Sequence, residues 1–234
     1  MSGEGLRSPR YRIVALPLLG VLASATRLRP RRSVVRYPPE VTRRLESTPG
    51  EMEAAWIGEQ LATGPVVIEP YDPAWPRLFE GEARKIEAAL AGTVLGIEHV
   101  GSTAVPGLAA KPILDIDLIV PDSADESAYV APLEQTGYRL VMREPSWHEH
   151  RMFRGVNPDV NLHVFSQEAP EHIRHVVFRD WLRTHDDDRE RYEKAKRRLA
   201  AETVDAPDRY NLAKNAVIDD IYARAFGTCL PDAR

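Results

Sequence analysis

The chain has 234 residues, 43% of them hydrophobic and 28% charged, with one cysteine, Cys229. That length suits one domain with a full core plus an extension, the composition is that of an ordinary globular protein, and a single cysteine excludes an internal disulfide. The net charge of −4 is uneven: residues 1–44 hold ten arginines and two glutamates, a net of +8, which leaves −12 for the remainder. The acidic body offers no broad basic face for long nucleic acids, so a metal would have to offset the phosphate charge of any bound nucleotide.

Residues 1 to about 50 are rich in Arg and Pro and read as an extension outside the packed domain, which would then cover 51–234. Within the extension, Ile13 to Ala25 is a short apolar run behind Arg7, Arg10 and Arg12. It resembles a signal peptide and is too short to span a membrane. A disordered extension on a cytoplasmic protein is the favoured expectation, and the basic run Arg27 to Arg36 reads as a solvated tail. Cys229 reads as a plain tail residue.

Glu51 to Thr63 is expected to form a short helix ended by Gly64-Pro65. Val66 to Glu69 reads as a first strand. Asp72 suits an N-cap and Pro73 a first helical position for a helix that runs to about Ala91, with Trp75, Leu78, Phe79, Ala83, Ile86 and Leu90 at helical spacing. Val94 to Val100 is the next strand, followed by Gly101-Ser102. Pro112 precedes a strand, Ile113 to Val120, that is aliphatic apart from Asp115 and Asp117. Asp122-Ser123 is positioned to cap a helix ending at Gly137. Strands are expected at Tyr138–Arg143 and Arg151–Gly155, and Asp159 to Ser166 alternates, with Asp159, Asn161, His163 and Phe165 on one face. Helices follow over Glu171–His185, Asp187–Glu202 and Asp208–Phe226. The pairs Glu190/Lys194 and Glu193/Arg197 mark a solvated helix face.

Two pieces of chemistry stand out. A strand ending in Gly101-Ser102, ahead of a segment that can open a helix, frees backbone N–H groups and adds a positive dipole end, which suits a phosphate. Asp115 and Asp117, two apart on a strand, leave the same face side by side. Two carboxylates that close repel unless one is protonated or a cation lies between them, and Mg²⁺ or Mn²⁺ with oxygen ligands fits that pattern. Lys111 lies between the turn and the acids, and Arg151 and Arg154 are further phosphate candidates. His148 and His150 form a His-x-His pair with no third ligand in register, for which a surface hairpin is the plainer reading. Walker loops, GxGxxG, zinc spacings, GxSxG elbows and internal repeats are absent from the sequence.

The order Gly-Ser followed by Asp-x-Asp on the next strand resembles the nucleotidyltransferase superfamily, which includes DNA polymerase beta. More narrowly, Gly101-Ser102-Thr103-Ala104-Val105-Pro106-Gly107-Leu108-Ala109-Ala110-Lys111-Pro112 with Asp115-Ile116-Asp117 is similar to the GrpB family. The likeness recurs at Tyr71-Asp72-Pro73 with Trp75 and Phe79, at Asn161 to Phe165, at Phe178 to Arg183, at Tyr192 with Lys196, and at Lys214 near Tyr210, and it covers roughly Val66 to Phe226. The resemblance implies an α/β (α+β) fold: a small mixed sheet of about five strands with helices and a C-terminal helical segment packed against it. It also implies a site in which Gly101, Ser102, Lys111 and Arg151 hold a nucleotide or phosphorylated ligand. Asp115 and Asp117 would then bind Mg²⁺ or Mn²⁺, and Asp115, Asp117 and His163 would serve catalysis.

The superfamily's third carboxylate has no counterpart at Asn161 or His163. Three alternatives stand: Asp159 substitutes for it, His163 ligates metal or acts as base, or His163 hydrogen-bonds an aspartate in an inactive pocket. Transfer of NMP to an unknown acceptor and a ligand-sensing accessory role are therefore both expectations. The second has a parallel in domains of this type fused to dephospho-CoA kinase in some bacteria. The partners expected are a nucleotide or phosphorylated small molecule and a CoA-pathway enzyme or protein acceptor, with no membrane and no long nucleic acid.

Overall fold

The structure, a computed structural model, describes residues 37–58, 64–207 and 209–227. The signal-peptide-like run, the basic run Arg27 to Arg36 and Cys229 lie outside them. Five strands form one sheet: β1 Gly96–Val100, β2 Leu114–Val120, β3 Arg139–Glu144, β4 His150–Gly155 and β5 Val160–Ser166. Their order is β1-β2-β5-β4-β3, with β2 and β5 parallel and every other neighbour antiparallel. The helices are α1 Pro39–Thr42, α2 Pro49–Ala54, α3 Trp75–Leu90, α4 Val130–Gln135, α5 Pro170–Thr184, α6 Asp186–Glu202, α7 Arg209–Ala213 and α8 Asn215–Ala225. The mixed α/β fold is the one the sequence implies.

Strand alternation sorts the residues of β2 and β5 onto two unlike faces. Leu114, Ile116, Leu118 and Val120 join Val160, Leu162 and Val164 on the apolar face, buried against Trp75, Ile86 and Leu90 of α3 and Leu133 of α4. Each such side chain contributes about 1.5–3 kcal/mol by leaving water. The other face carries Asp115, Asp117 and Ile119 on β2 beside Asn161, His163 and Phe165 on β5, in direct register. A second apolar cluster packs the helices over the end of this polar face: Val105 and Leu108 from the loop after β1, Leu182 of α5, Tyr192 of α6 and Ile221 of α8.

Several local expectations change. Val66 to Glu69 is not a strand; only Glu69 pairs, exchanging hydrogen bonds with Ala110 of the loop before β2. Asp72 forms a turn by accepting from the Ala74 N–H, so α3 starts two residues later than Pro73. The helix expected over 122–137 reduces to a 3₁₀ turn at Glu126–Ala128 plus the short α4, because the Ser123 N–H is drawn to Ser166 Oγ and its carbonyl to the Tyr129 hydroxyl. Lys214 breaks the last helix into α7 and α8.

The domain boundary also moves. Val41 of α1 is buried, and its carbonyl accepts from Arg174 of α5 at 2.9 Å. Arg44 pairs with Asp219 and Asn215 of α8, Trp147 donates to the Leu45 carbonyl, and Tyr37 packs edge-on against Phe226. Residues 37–50 thus belong to the packed body, which the Arg/Pro-rich composition hid.

Candidate functional site

Gly101 follows β1 at φ +67°, a conformation that glycine adopts without strain. It is also sterically required: a Cβ there would lie 2.2 Å from Asp115 Oδ2. The turn therefore sits directly on the first aspartate of β2. Ser102 to Ala104 follow as one 3₁₀ turn. Two arginines of α5 hold the carbonyls around it, Arg179 donating to His99 O and Arg183 to Ala104 O. The family-like stretch Phe178 to Arg183 is thus the clamp that shapes the turn.

Three amines gather here. Lys196 of α6 is buried, with Nζ 3.0 Å from Ser102 Oγ and a further hydrogen bond to Ala109 O. Lys111 and Lys214 place their Nζ atoms 4.6 and 4.7 Å from the centre of the Tyr210 ring. Burial, and then the charge of Lys214, pushes Lys196 down to about 7; burial, and then Lys111, pushes Lys214 down to about 8; burial lowers Lys111 as well. Asp115 draws all three back up, and Glu193 draws up Lys196 as well, so two carboxylates serve three crowded amines. Asp115 Oδ1 itself accepts from Asn161, whose Oδ1 accepts from Arg154.

Asp117, beside it, has a different environment. It is fully buried, His172 Nδ1 lies 2.9 Å from Oδ2, and His175 Nδ1 lies 3.0 Å from both oxygens. Burial works to raise its pKa, but the His175 charge and the two imidazole hydrogen bonds outweigh burial and hold it well below the usual carboxylate range. Burial pulls His175 down in turn, and Asp117 overrides that, raising it to about 9. The cation expected beside this carboxylate is thus an imidazolium from α5.

His163 stands opposite Asp117 in the β2–β5 register. Its Nδ1 is 3.0 Å from His150 Nε2, and His150 Nδ1 is 2.6 Å from Glu144 Oε2. His148 and Glu149 sit at positive φ in the turn between β3 and β4, in line with the hairpin reading, and only His150 enters β4. Asp159 precedes β5 and uses its carbonyl to accept from Leu114 N–H. Arg151 is not at the turn. It pairs in register with Val164 on the apolar face and is bound by Glu126 at 2.6 Å, whereas Arg154 pairs with Asn161 on the polar face. Strand parity separates the two arginines. The residues not foreseen are His172, His175, Glu144 and the Arg154–Asn161 contact. The His-x-x-His spacing on a predicted helix was the one visible signal for the first two.

Asp115 and Asp117 were expected to hold Mg²⁺ or Mn²⁺. Both oxygens of Asp117 already accept from imidazoles, and among the described residues no group of three or more His, Cys, Asp or Glu side chains is arranged to hold a metal ion. As arranged, Asp117 meets two imidazoles, and a divalent ion bound through both of its oxygens would compete with them.

The family model described as GrpB protein matches residues 65–224. The UPF0157 protein BH1888 of Halalkalibacterium halodurans is 46% identical over 182 residues, covering 77% of this chain and 93% of that protein. The crystal structure of conserved protein GrpB from Enterococcus faecalis superposes with a TM-score of 0.63 at 33% identity, covering 69% of this chain and 98% of that one. A dephospho-CoA kinase of Mycolicibacterium paratuberculosis is 28% identical over 194 residues, which cover 71% of this chain and 47% of that protein. The fold and the sheet-borne polar site define a mixed α/β protein of GrpB type. The chain belongs to the GrpB family.

Proposed function

We propose that the chain binds the phosphates of a nucleotide or related phosphorylated ligand at the Gly101–Ser102 turn, as a nucleotidyltransferase-like protein. The observation that carries this reading is the Lys196–Ser102 contact. A buried amine held by a hydroxyl and a carbonyl, with Lys111 and Lys214 beside it, sets three amines against two carboxylates, Asp115 and Glu193. A phosphate supplies what is missing, and charge-assisted hydrogen bonds to it in a buried setting are strong. The reaction proposed is attack of an acceptor hydroxyl on the α-phosphate of a nucleoside triphosphate. The lysines would stabilise the charge that develops on the leaving pyrophosphate.

A second reading has its own support. The strand expected to supply the superfamily's third acid offers Asn161 and His163 in its place, and Asn161 ties Asp115 to Arg154. Relatives named dephospho-CoA kinase carry a region like this one in about half of their length. Under this reading the site senses a phosphorylated ligand for a partner enzyme and transfers nothing.

Calorimetry with nucleoside triphosphates, in EDTA and with Mg²⁺ or Mn²⁺, tests the shared premise. Binding that is lost in K196M supports it, and no binding to the wild type under any of these conditions overturns it. Binding that requires the metal, and is lost in D115N/D117N, would show that an ion does displace the imidazoles. Incubation with radiolabelled triphosphates and cell extract separates the two readings: label transfer abolished in D117A supports the enzyme, and tight binding without transfer supports the sensor.

A further inference from the structure

The polar face carries a chain of hydrogen bonds that the phosphate site does not use. It starts at Glu144, the last residue of β3, which faces His150 across the β3–β4 ladder. It crosses to His150 and ends at His163 of β5, on the same face as Asp117. We propose that Glu144 and His150 are positioning residues that fix the proton of His163 on Nδ1 and so leave its Nε2 as an open lone pair, aimed to receive the proton of an acceptor hydroxyl. The base role rests on the transfer reading above; the fixed tautomer does not.

The proton positions follow from the donor inventory. Burial raises Glu144 above the ordinary carboxylate value; in its ionised form it only accepts, and the 2.6 Å contact then places a proton on His150 Nδ1. His150 is buried, its ring stacked on Phe165 at 4.9 Å and on His163 at 5.1 Å with Trp147 edge-on, and burial keeps it neutral. A neutral ring holding its proton on Nδ1 can only accept at Nε2. The proton in the 3.0 Å contact therefore belongs to Nδ1 of His163. His163 is kept neutral as well, by burial and then by its neighbour His150, so its Nε2 is bare. Asp117 favours a proton on His163 by its charge, but its oxygens are hydrogen-bonded to His172 and His175 rather than to that nitrogen.

The step balances. The acceptor oxygen forms a bond to the α-phosphorus as the bond to the bridging oxygen of pyrophosphate breaks. That bridging oxygen keeps the electron pair, and the hydroxyl proton moves to His163 Nε2. The resulting imidazolium shares its Nδ1 proton with His150, and the charge is supported by Glu144 through the second ring. A base oriented by a second group, itself anchored on a carboxylate, is the arrangement that transfer enzymes with a side-chain base require.

Ring nitrogens are directly visible by ¹⁵N NMR of the full-length protein without ligand, with the His163 signals assigned by their loss in H163Q. The expected wild-type spectrum shows His163 with a pyrrole-type Nδ1 and a pyridine-type Nε2 as a single form. A proton on Nε2 in the wild type overturns the proposal even if no variant folds. Glu144→Gln, which can still accept from His150, should keep the single form, whereas Glu144→Leu should convert it to a mixture or to the Nε2–H form. An unchanged His163 in folded Glu144→Leu also overturns it. Nucleotide binding is scored separately by calorimetry. The expected tautomer without ligand binding upholds the relay while sinking the transfer reading, and ligand binding to a protein with Nε2–H on His163 does the reverse.

Discussion

Lys196 Nζ and Ser102 Oγ meet at 3.0 Å across 94 residues of chain, joining α6 to the turn after β1. Replacing Lys196 by Met keeps the buried stem and removes the charge. A hydrogen bond to a charged group contributes about 1.5–3 kcal/mol, so phosphate-ligand affinity should fall roughly tenfold to more than a hundredfold in K196M. Titration calorimetry reads the change, and an unaltered affinity would place the ligand elsewhere.

The same amine makes binding proton-coupled. Burial holds Lys196 at about 7 and Lys214 at about 8 in the free protein. An arriving phosphate favours the charged forms and returns both toward the ordinary lysine range. At pH 8, binding should therefore take up protons, and the observed enthalpy should depend on the ionisation enthalpy of the buffer. Identical heats in phosphate-free buffers of high and low ionisation enthalpy would contradict this.

Gly101→Ala tests the close approach to Asp115. The positive φ alone costs about 1–3 kcal/mol for a residue with a Cβ, and the added methyl must push Asp115 away. Urea unfolding should show the loss of stability. Ligand affinity should fall with it, since the turn and the carboxylate move together.

The Asp117–His175 pair gives stability a pH signature. His175 is raised from 6.5 to about 9, so its contribution is fully present below about 6.5 and is lost as the pH rises through about 9. Asp117 is lowered, so its contribution is present above its ordinary value near 3.8 and is lost as the pH falls through its depressed native-state value. The lowered lysines act in the opposite sense at alkaline pH, so the useful quantity is the stability difference between wild type and H175A. At pH 6 this difference should reach up to about 3–5 kcal/mol, the cost of breaking a buried ion pair, reduced by the His172 hydrogen bond that Asp117 keeps. It should shrink between pH 6 and 10.

A chain starting at Glu51 should melt below one starting at Arg36. It loses the buried Val41, worth about 1.5–3 kcal/mol, together with the Arg174 and Trp147 hydrogen bonds to residues 41 and 45. For a body of this size each kcal/mol shifts Tm by roughly 2–4 °C, so a drop of about 4 °C or more is expected by calorimetry. Equal melting temperatures would return the domain boundary to residue 50.

The legible parts of this fold were those written in local periodicity. The aliphatic run around Asp115 and Asp117, the alternation from Asp159 to Ser166 and the helical spacing after Trp75 each specify an element whose packing follows from its pattern. What stayed hidden depends on which helix crosses which face. His172 and His175 are ordinary helix residues until α5 lies on the sheet and aims them at Asp117. Arg151 and Arg154 are equal candidates until the β4–β5 register decides which one shares a face with Asn161. Glu144 is an unremarkable strand end until the β3–β4 ladder sets it against His150.

The strand order carries a consequence for synthesis. β5 fills the place between β2 and β4 but is the last of the five to leave the ribosome. Until it arrives, Leu114 to Val120 presents an unpaired aliphatic edge, the kind of segment that joins with its own copies in neighbouring chains. Asp115 and Asp117 interrupt that run with like charges, which repel an identical strand laid alongside. The nascent chain is thus guarded against aggregation by two carboxylates that later find partners, Asp117 in His175 of α5 and Asp115 in the Asn161 amide.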